Sequence, residues 1–558
     1  MKLLVPEASL DHLFGHARFG VDGAARPEPR RQVTTYFDTT DRALSRRDIS
    51  LRVRRSGERL VQTLKADKKA GLIADRAEWE WAIEHDTPDL LLLAATPVAA
   101  QLPVRPELAP MVVTEIERSI RLLTLDGDVV VEAAIDIGVI IAGGKREPVR
   151  ELELELRSGD PAALYRLARE LHAAVPMTIE SQSKATRGYR LLTGEPPAAR
   201  KAEAIELAAG VTGAAALRRM LHATMGHLLA NQPAALAGDA WGVHQMRIAI
   251  RRLRAALTLF QPLLDPAAVS RFQAELGRIG QRFGEARDWN VFSLRTLPWM
   301  SRVDAQEGGA AGELLRQPAM TRREAAHRGF AQAVQAADFT GLLLDLAAWA
   351  EQPDLLGEAA SRQPIEALCP ALLDRLANKV ERLGRNAAQG SDAQRHALRK
   401  AMKKLCYGID CLRGVLSAEA VGWYLLTCKR LLRNLGDSND TVTAMHLAGH
   451  LEADSPPKHA TASAAPSGMA SDGAASSGLA AAIGLLARRL QRRRAEALQE
   501  FAKRWNAFQA APRIWAPGNW VPGSWAPGSL ASGSWAPGGG RAIGTGSLPA
   551  GGPPGPTA

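Results

Sequence analysis

Apolar and polar positions obey one period in the first third of the chain and another afterwards. Up to about residue 192 the period is two. Arg47-Asp-Ile-Ser-Leu-Arg-Val-Arg-Arg, Glu78-Trp-Glu-Trp-Ala-Ile and Glu151-Leu-Glu-Leu-Glu-Leu all alternate, as half-buried strands do. Val129-Val-Val-Glu-Ala-Ala-Ile-Asp-Ile is rich in β-branched residues and bounded by Gly127 and Gly138, a further strand. Helical spacing interrupts only near 6–17 and 161–174. An antiparallel sheet with charge at every second position cannot pack that face into an apolar core, so the pattern predicts a sheet around a polar, wet interior. Residues 193–215 are Pro- and Ala-rich and read as a linker. From 216 to 510 the period becomes 3.6, broken at 301–312 and at 454–478, the latter an expected disordered insertion; a last helix runs from Leu485 to Phe508. From 511 to 558 a Trp/Pro/Gly repeat of five residues predicts a disordered tail.

The helical part contains a repeat. His244-Gln-Met-Arg247-Ile-Ala-Ile-Arg251-Arg252-Leu253-Arg254 returns 152 positions later as His396-Ala-Leu-Arg399-Lys400-Ala-Met-Lys403-Lys404-Leu405. The same offset carries Arg278 onto Arg430, Gly284 onto Gly436 and Asp288 onto Asp440. A gapless register of this length predicts a duplicated helical unit. Within it His244, Arg247, Arg251 and Arg254 occupy one stripe of a helix, and His396, Arg399 and Lys403 repeat the stripe. Cations in that arrangement suit a polyanion; a solvated helix face is the bland alternative.

Composition narrows the partners. The 558 residues are too many for one core, and 70 Lys plus Arg against 59 Asp plus Glu leave a formal charge of +11. Cys369, Cys406, Cys411 and Cys428 form no CxxC and no metal-ligand spacing, so they read as reduced core thiols. No stretch has the ~20 apolar residues of a membrane helix, and the start lacks a signal-peptide pattern. The expected address is cytoplasmic, with association with polyphosphate granules open. No membrane partner is expected. Stacking of the tail tryptophans on bases is conceivable, but nucleic acid is not the expected partner.

In order along the chain stand Tyr36-Phe-Asp38-Thr, Leu51-Arg52-Val-Arg54-Arg, Gln62-Thr-Leu-Lys65, Glu78-Trp-Glu80-Trp, Glu115-Ile-Glu117-Arg118, Glu132…Asp136-Ile-Gly138, Glu151-Leu-Glu153-Leu-Glu155 and Ser183-Lys184…Arg187-Gly-Tyr189. This series resembles the CYTH family of triphosphate tunnel enzymes over nearly all of 1–192. The resemblance implies an eight-stranded antiparallel tunnel, Mg²⁺ or Mn²⁺ held by carboxylates (Glu78, Glu80, Glu117, Asp136 and Glu155), and inorganic triphosphate as substrate. The residues fit that chemistry. Arg52, Arg54, Arg118 and Lys184, with Lys65, would offset a triphosphate's charge through charge-assisted bonds. Glu151, Glu153 and Glu155 share one strand face, which permits metal binding or water activation. Lys65, Glu151 and Glu153 are therefore the expected catalytic residues.

Two positions depart from the family. Its first strand reads Glu-x-Glu-x-Lys, whereas here Lys2 matches the Lys and both glutamates are missing. The expectation is that Met1 is an internal methionine of a longer protein, with Lys2 a substrate ligand; the alternative is a tunnel that binds without hydrolysing. Ile140 also stands where the family has Glu.

The repeated basic helices, with Arg287-Asp288-Trp-Asn and Leu435-Gly-Asp-Ser-Asn439-Asp440, resemble the CHAD domain, an all-α duplicated bundle implicated in polyphosphate binding and often fused to CYTH. The whole chain is thus expected to be an α+β, multidomain protein: a β-tunnel inorganic triphosphatase followed by a polyphosphate-binding bundle. The rival is a non-catalytic polyphosphate-binding protein with a degraded tunnel site.

Overall fold

One antiparallel sheet and one helical bundle make up the computed structural model, which describes residues 1–515 apart from 20–27, 70–74, 102–106, 304–306, 388 and 454–469. The strands are β1 (Lys2–Leu4), β2 (Arg30–Asp38), β3 (Ser50–Ser56), β4 (Arg59–Lys69), β5 (Asp75–Ile83), β6 (Ala109–Leu125), β7 (Val129–Ala142), β8 (Lys145–Ser158) and β9 (Thr178–Ile179). They pair in the order β5-β4-β3-β2-β6-β7-β8-β1-β9. Among the described residues nine strands pair, where eight were expected, and no pairing between β5 and β9 is seen. The β9 edge is short. That strand has two residues, and Ser183 then caps a helix by accepting the Thr186 N–H at 3.0 Å, which ends strand geometry.

Four helices accompany the sheet: α1 (Leu10–Phe14), α2 (Leu90–Ala94), α3 (Pro161–Ala174) and α4 (Lys184–Thr193). Alternation sorts the side chains as the sequence predicts. Leu51 and Val53 are buried on one face of β3, with Leu64 and Leu93, while Arg52 and Arg54 point to the other. On β7 and β8, Val131, Ala133, Ile135, Leu152 and Leu154 pack against Leu164, Leu167 and Leu171 of α3. Asp160 starts α3 by accepting the Ala162 N–H, with Pro161 at its first turn.

The bundle begins with α5 (Gly213–Leu236), α6 (Ala240–Phe260), α7 (Pro266–Val291), α8 (Leu297–Val303), α9 (Glu307–Gln335) and α10 (Ala337–Ala350). It continues through α11 (Glu358–Arg362), α12 (Ile365–Gly384), α13 (Asp392–Cys411), α14 (Ala418–Ala453) and α15 (Ala470–Gln509). The duplication extends to the punctuation. Asp239 caps α6 and Ser391 caps α13 at the same 152-residue offset, and the same shift relates the 3₁₀ turns Gln261–Leu263 and Arg413–Val415. Asp265 accepts from Ala268 N at the start of α7, and Ser417 from Ala420 N at the start of α14. Caps and turns are set by local sequence, so a duplicated sequence reproduces them.

Helix α3 faces two ways. Beyond the sheet it packs on α10, where His172 Nε2 lies 2.9 Å from the Ala337 carbonyl and Arg169 pairs with Asp345 at 3.2 Å. Tyr165 stacks on His222 of α5 with ring centres 5.7 Å apart. One apolar cluster therefore runs from the sheet through α3 into the bundle.

Three segments differ from expectation. Residues 301–303 and 307–312, read as a break, are helical. The 454–478 insertion lies partly outside the described residues, and its end forms the start of α15. The tail from 516 also lies outside them. Residues 511–515, expected to be disordered, dock instead. Trp515 is fully buried, its indole N–H donates to Asp374 at 2.9 Å, and Arg513 pairs with Asp374 and Glu381 at 2.6 and 2.7 Å. Trp515 fills an apolar slot against Tyr424, with a carboxylate to take its N–H. Trp515→Ala should accordingly cost about 3–5 kcal/mol of stability in a denaturant titration; an unchanged midpoint would show that the docking is marginal.

Candidate functional site

The charged face of the sheet lines a cavity of about 1140 Å³. Arg52 and Arg54 of β3, Lys65 of β4, Glu78 and Glu80 of β5, Arg118 of β6, Asp136 of β7, Glu153 and Glu155 of β8, Lys2 of β1 and Lys184 of α4 all reach it. Two predicted residues do not. Glu117 is exposed on the opposite face, because it is one residue from Arg118 and side chains alternate. Glu151 lies on the correct face but is fully buried beneath the lining, where Lys184 and Arg187 cover it. In this arrangement those two cations screen it from the cavity, and it pairs with both.

The two sides of the cavity differ in charge balance. On one side Arg118 grips Asp136 with two bonds of 2.7 and 2.6 Å and reaches Glu153 at 2.6 Å. Lys184 Nζ meets Asp136, Glu151 and Glu153 at 2.9, 2.6 and 3.0 Å. Arg187 adds bonds to Glu151 and, at 2.6 Å, to Glu147. Helix α4 brings Lys184 and Arg187 here because Gly188 lets it approach β6; a Cβ at that position would lie 2.2 Å from a Val112 methyl. Burial alone would raise the Glu153 carboxyl, but Lys184 and Arg118 hold it well below its ordinary value. A carboxylate so stabilised is a weak proton acceptor and a better ligand than base.

Across the cavity the cations are in excess. Lys65 bonds Glu78 at 2.7 Å, and Arg52 stands 3.6 Å from Glu78 and 3.9 Å from Glu80. Arg54 Nε is buried without a hydrogen-bond partner, and burial with the nearby Arg52 and Arg118 brings its guanidinium down to about 10. Burial and Arg52 likewise lower Lys65. Lys2 is anchored by donating to the Gln182 carbonyl at 2.7 Å. Glu155 sits at the rim, where Arg157 bridges it to Glu132. Ile140, in place of an acid, is part of an apolar cluster with Val112 and Val149.

Asp136, Glu151 and Glu153 each offer an oxygen within 4.8 Å of the others. Three hard oxygen donors suit Mg²⁺ or Mn²⁺. The ammonium of Lys184, in contact with all three, occupies the centre a cation would take, so the donor set fits a positive ion.

In the bundle the two basic stripes face one another. Arg247 donates to the Gly284 carbonyl at 2.8 Å and to Asp288 at 3.0 Å; its counterpart Arg399 stands 3.8 Å from Asp440. Arg251 and Lys403 come about one helical turn further along each stripe and influence one another. Burial first, then Arg251, Arg399 and Arg247, bring the Lys403 ammonium down to about 6. The Nε atoms of Arg251 and Arg399 are buried without partners. His396 Nδ1 is 2.6 Å from Asn439 Oδ1, whereas His244 meets Arg287 at the equivalent position; burial, Arg287 and Arg251 push His244 down to about 3. Arg254 bonds Gln273 at 3.0 Å and extends the stripe towards Lys404, Lys379 and Arg375. Sequence reading missed Arg287 and Arg295, which crowd His244 from α7 and the turn after it. The Arg287-Asp288 motif carried the signal for the first.

Residues 1–189 match the CYTH domain family and residues 219–449 the CHAD domain family. The chain is a CYTH domain joined to a CHAD domain. Over 160 residues it is 34% identical to the inorganic triphosphatase of Haemophilus influenzae, covering 28% of this chain and 45% of that protein. The chain therefore spans just under half the length of that curated relative. The crystal structure of a CHAD domain from Ricinus communis is 25% identical, with a TM-score of 0.47, covering 57% of this chain and 99% of that one. A putative adenylyl cyclase from Hippeastrum with a dominant triphosphatase activity is 18% identical, with a TM-score of 0.24, covering 34% of this chain and 95% of its own. No helix among the described residues is long and apolar enough to cross a membrane.

The CYTH carboxylate cluster yields a prediction. Lys184→Met removes one partner from Asp136, Glu151 and Glu153, leaving Arg118 and Arg187 to hold them, and should cost about 3–5 kcal/mol in urea unfolding. Because the Glu153 value is lowered in the folded state, its stabilisation is full above pH 4.5 and lost on acidification. Without Lys184 the Glu153 carboxyl is less depressed, so the variant's deficit should be largest at neutral pH and shrink on acidification below pH 4.5; a deficit independent of pH would refute the assignment.

Proposed function

We propose that the CYTH domain is a metal-dependent inorganic triphosphatase and that the CHAD domain binds polyphosphate. The observation that carries the first half is the division of the cavity: a wall of under-neutralised cations, Arg52, Arg54 and Lys65, faces a wall of converging carboxylates. A polyanion bound between them would lie against the cations while its metal sits with the acids. Asp136, Glu151 and Glu153 would hold the metal, with Lys184 displaced onto the phosphates. A bound Mg²⁺ or Mn²⁺ supplies charge neutralisation and polarises a phosphoryl oxygen. The protein's own part is positioning and charge: Arg52, Arg54 and Arg118 orient the chain, Lys65 neutralises charge that develops in transfer, and Lys2 completes the rim. Glu78 and Glu80 orient Lys65 and Arg52, and Glu153 and Glu155 stand where a water would be ordered.

The non-catalytic alternative rests on one specific observation, the Lys184 ammonium among the three carboxylates. Phosphate release from triphosphate with Mg²⁺ or Mn²⁺ separates the two readings. Under the triphosphatase reading, wild type turns over and Arg54→Ala lowers kcat/KM by roughly 10²–10³-fold; a folded protein with no turnover leaves the binding reading standing.

Along the two CHAD stripes, Arg247, Arg251, Arg287, Arg295, Arg399 and Lys403 have Asp288 and Asp440 for compensation. A phosphate chain would supply the missing negative charge, and binding would weaken with salt. Binding raises Lys403 from about 6 towards its ordinary value, so the complex holds more protons between those limits. Affinity for long-chain polyphosphate should therefore rise as pH falls from 9 to 6, and Lys403→Ala should flatten that profile in calorimetric titrations. Equal pH dependence in both proteins would remove Lys403 from the site.

A further inference from the structure

The cavity has a wall outside the CYTH match. Arg200, Lys201, Glu203 and Ile205 of the connecting segment line it, together with Thr224 and His227 of α5. The segment read as a linker is thus a fixed part of the site. Its backbone is clamped at Arg200: the N–H donates to Asn231 Oδ1 at 2.9 Å, and the carbonyl takes the Asn231 amide at 3.0 Å and faces His227 Nε2 at 3.2 Å. Asn231 is fully buried, and downstream Ile205 and Leu207 are buried too. Forward, the Arg200 guanidinium stands 3.8 Å from Asp48, just ahead of the strand that carries Ser50, Arg52 and Arg54. The connector therefore holds two exposed cations beside the end of the sheet where the cationic wall begins.

A volume of about 1140 Å³ exceeds the roughly 300–1,000 Å³ of small-ligand sites. A single triphosphate does not fill it. We propose that Arg200 and Lys201 form an outer phosphate subsite, so that the cavity takes the end of a linear polyphosphate longer than triphosphate. This rests on the phosphate-binding reading of the cavity. Phosphates beyond the third would leave the wall of Arg52 and Arg54 and meet Arg200 and Lys201 at the mouth. Each contact would be a charge-assisted bond to a phosphate oxygen, and the connector's fixed backbone would keep the ordering cost low. The length of chain preferred would then be set by the connector, not by the sheet.

The test uses the full chain carrying Arg251→Glu and Lys403→Glu, which reverses charge on both basic stripes of the bundle. Affinities for triphosphate and for a longer linear polyphosphate are measured in EDTA over a salt series, with and without Arg200→Gln and Lys201→Gln. Because the clamp acts through the Arg200 backbone, these changes should leave the melting temperature unaltered. The subsite predicts that the longer chain loses roughly one unit of salt slope per cation removed and about tenfold in affinity. Triphosphate affinity should stay within about twofold. An unchanged affinity for the longer chain, or an equal loss for both ligands, would overturn the subsite. Absence of any triphosphate binding in the background protein would instead strike the reading of the cavity itself. Triphosphate turnover with Mg²⁺, measured in parallel, reports on catalysis separately from either.

Discussion

Everything placed around the cavity depends on burial of α3 on both of its faces. One side covers the apolar back of β7 and β8, and the other packs on α10 and against α5. A helix used in this way cannot be shared by two bodies that move freely, because sliding either body would expose apolar surface at about 25 cal/mol per Å². The bundle is therefore held where α5 and the connector can serve as a wall for the sheet. Without that shared helix, the Arg200 clamp on Asn231 would join two mobile parts and define nothing.

Charge distribution is the second constraint. Arginine and lysine crowd together in two places with too few acids, which costs stability in the free protein. The neighbouring acidic cluster is fully matched, cation for carboxylate. This contrast separates structural ion pairs from poised ones. Lys184 and Arg187 close a network, whereas burial and then neighbouring cations lower Arg54, Arg251 and Lys403, an effect that nearby Glu80, Asp288 and Asp440 only partly offset. Helix α6 serves both basic regions, turning Arg251 towards Lys403 and Arg252 to the cavity wall.

Much of this was legible in the amino-acid order, and the failures have physical causes. Alternation placed Arg52 and Arg54 inside and their apolar neighbours outside, and the 152-residue offset foretold a repeated basic stripe, though not that the two copies approach each other. The same alternation, applied to β6, would have excluded Glu117, since Arg118 and Glu117 cannot share a face. Glu151 could not be separated from Glu153 by parity, because the covering helix that buries it comes from residues 184–193. A cap at Ser183 was the local sign of that helix. The connector looked unstructured because its order comes from Asn231 and His227, on a helix that follows it. Trp515 resembled the other tryptophans of its repeat, and only the slot beside Tyr424 distinguishes it.

The duplicated helix pairs bring Arg247 and Arg399 to related positions, each beside its own aspartate. The duplication thus offers the same kind of cation–carboxylate pair twice. Linear polyphosphate is itself one charged unit repeated, with chemically identical ends. On the proposed reading a repeated ligand would meet a repeated surface, and its length rather than any sequence would decide how much of that surface it engages.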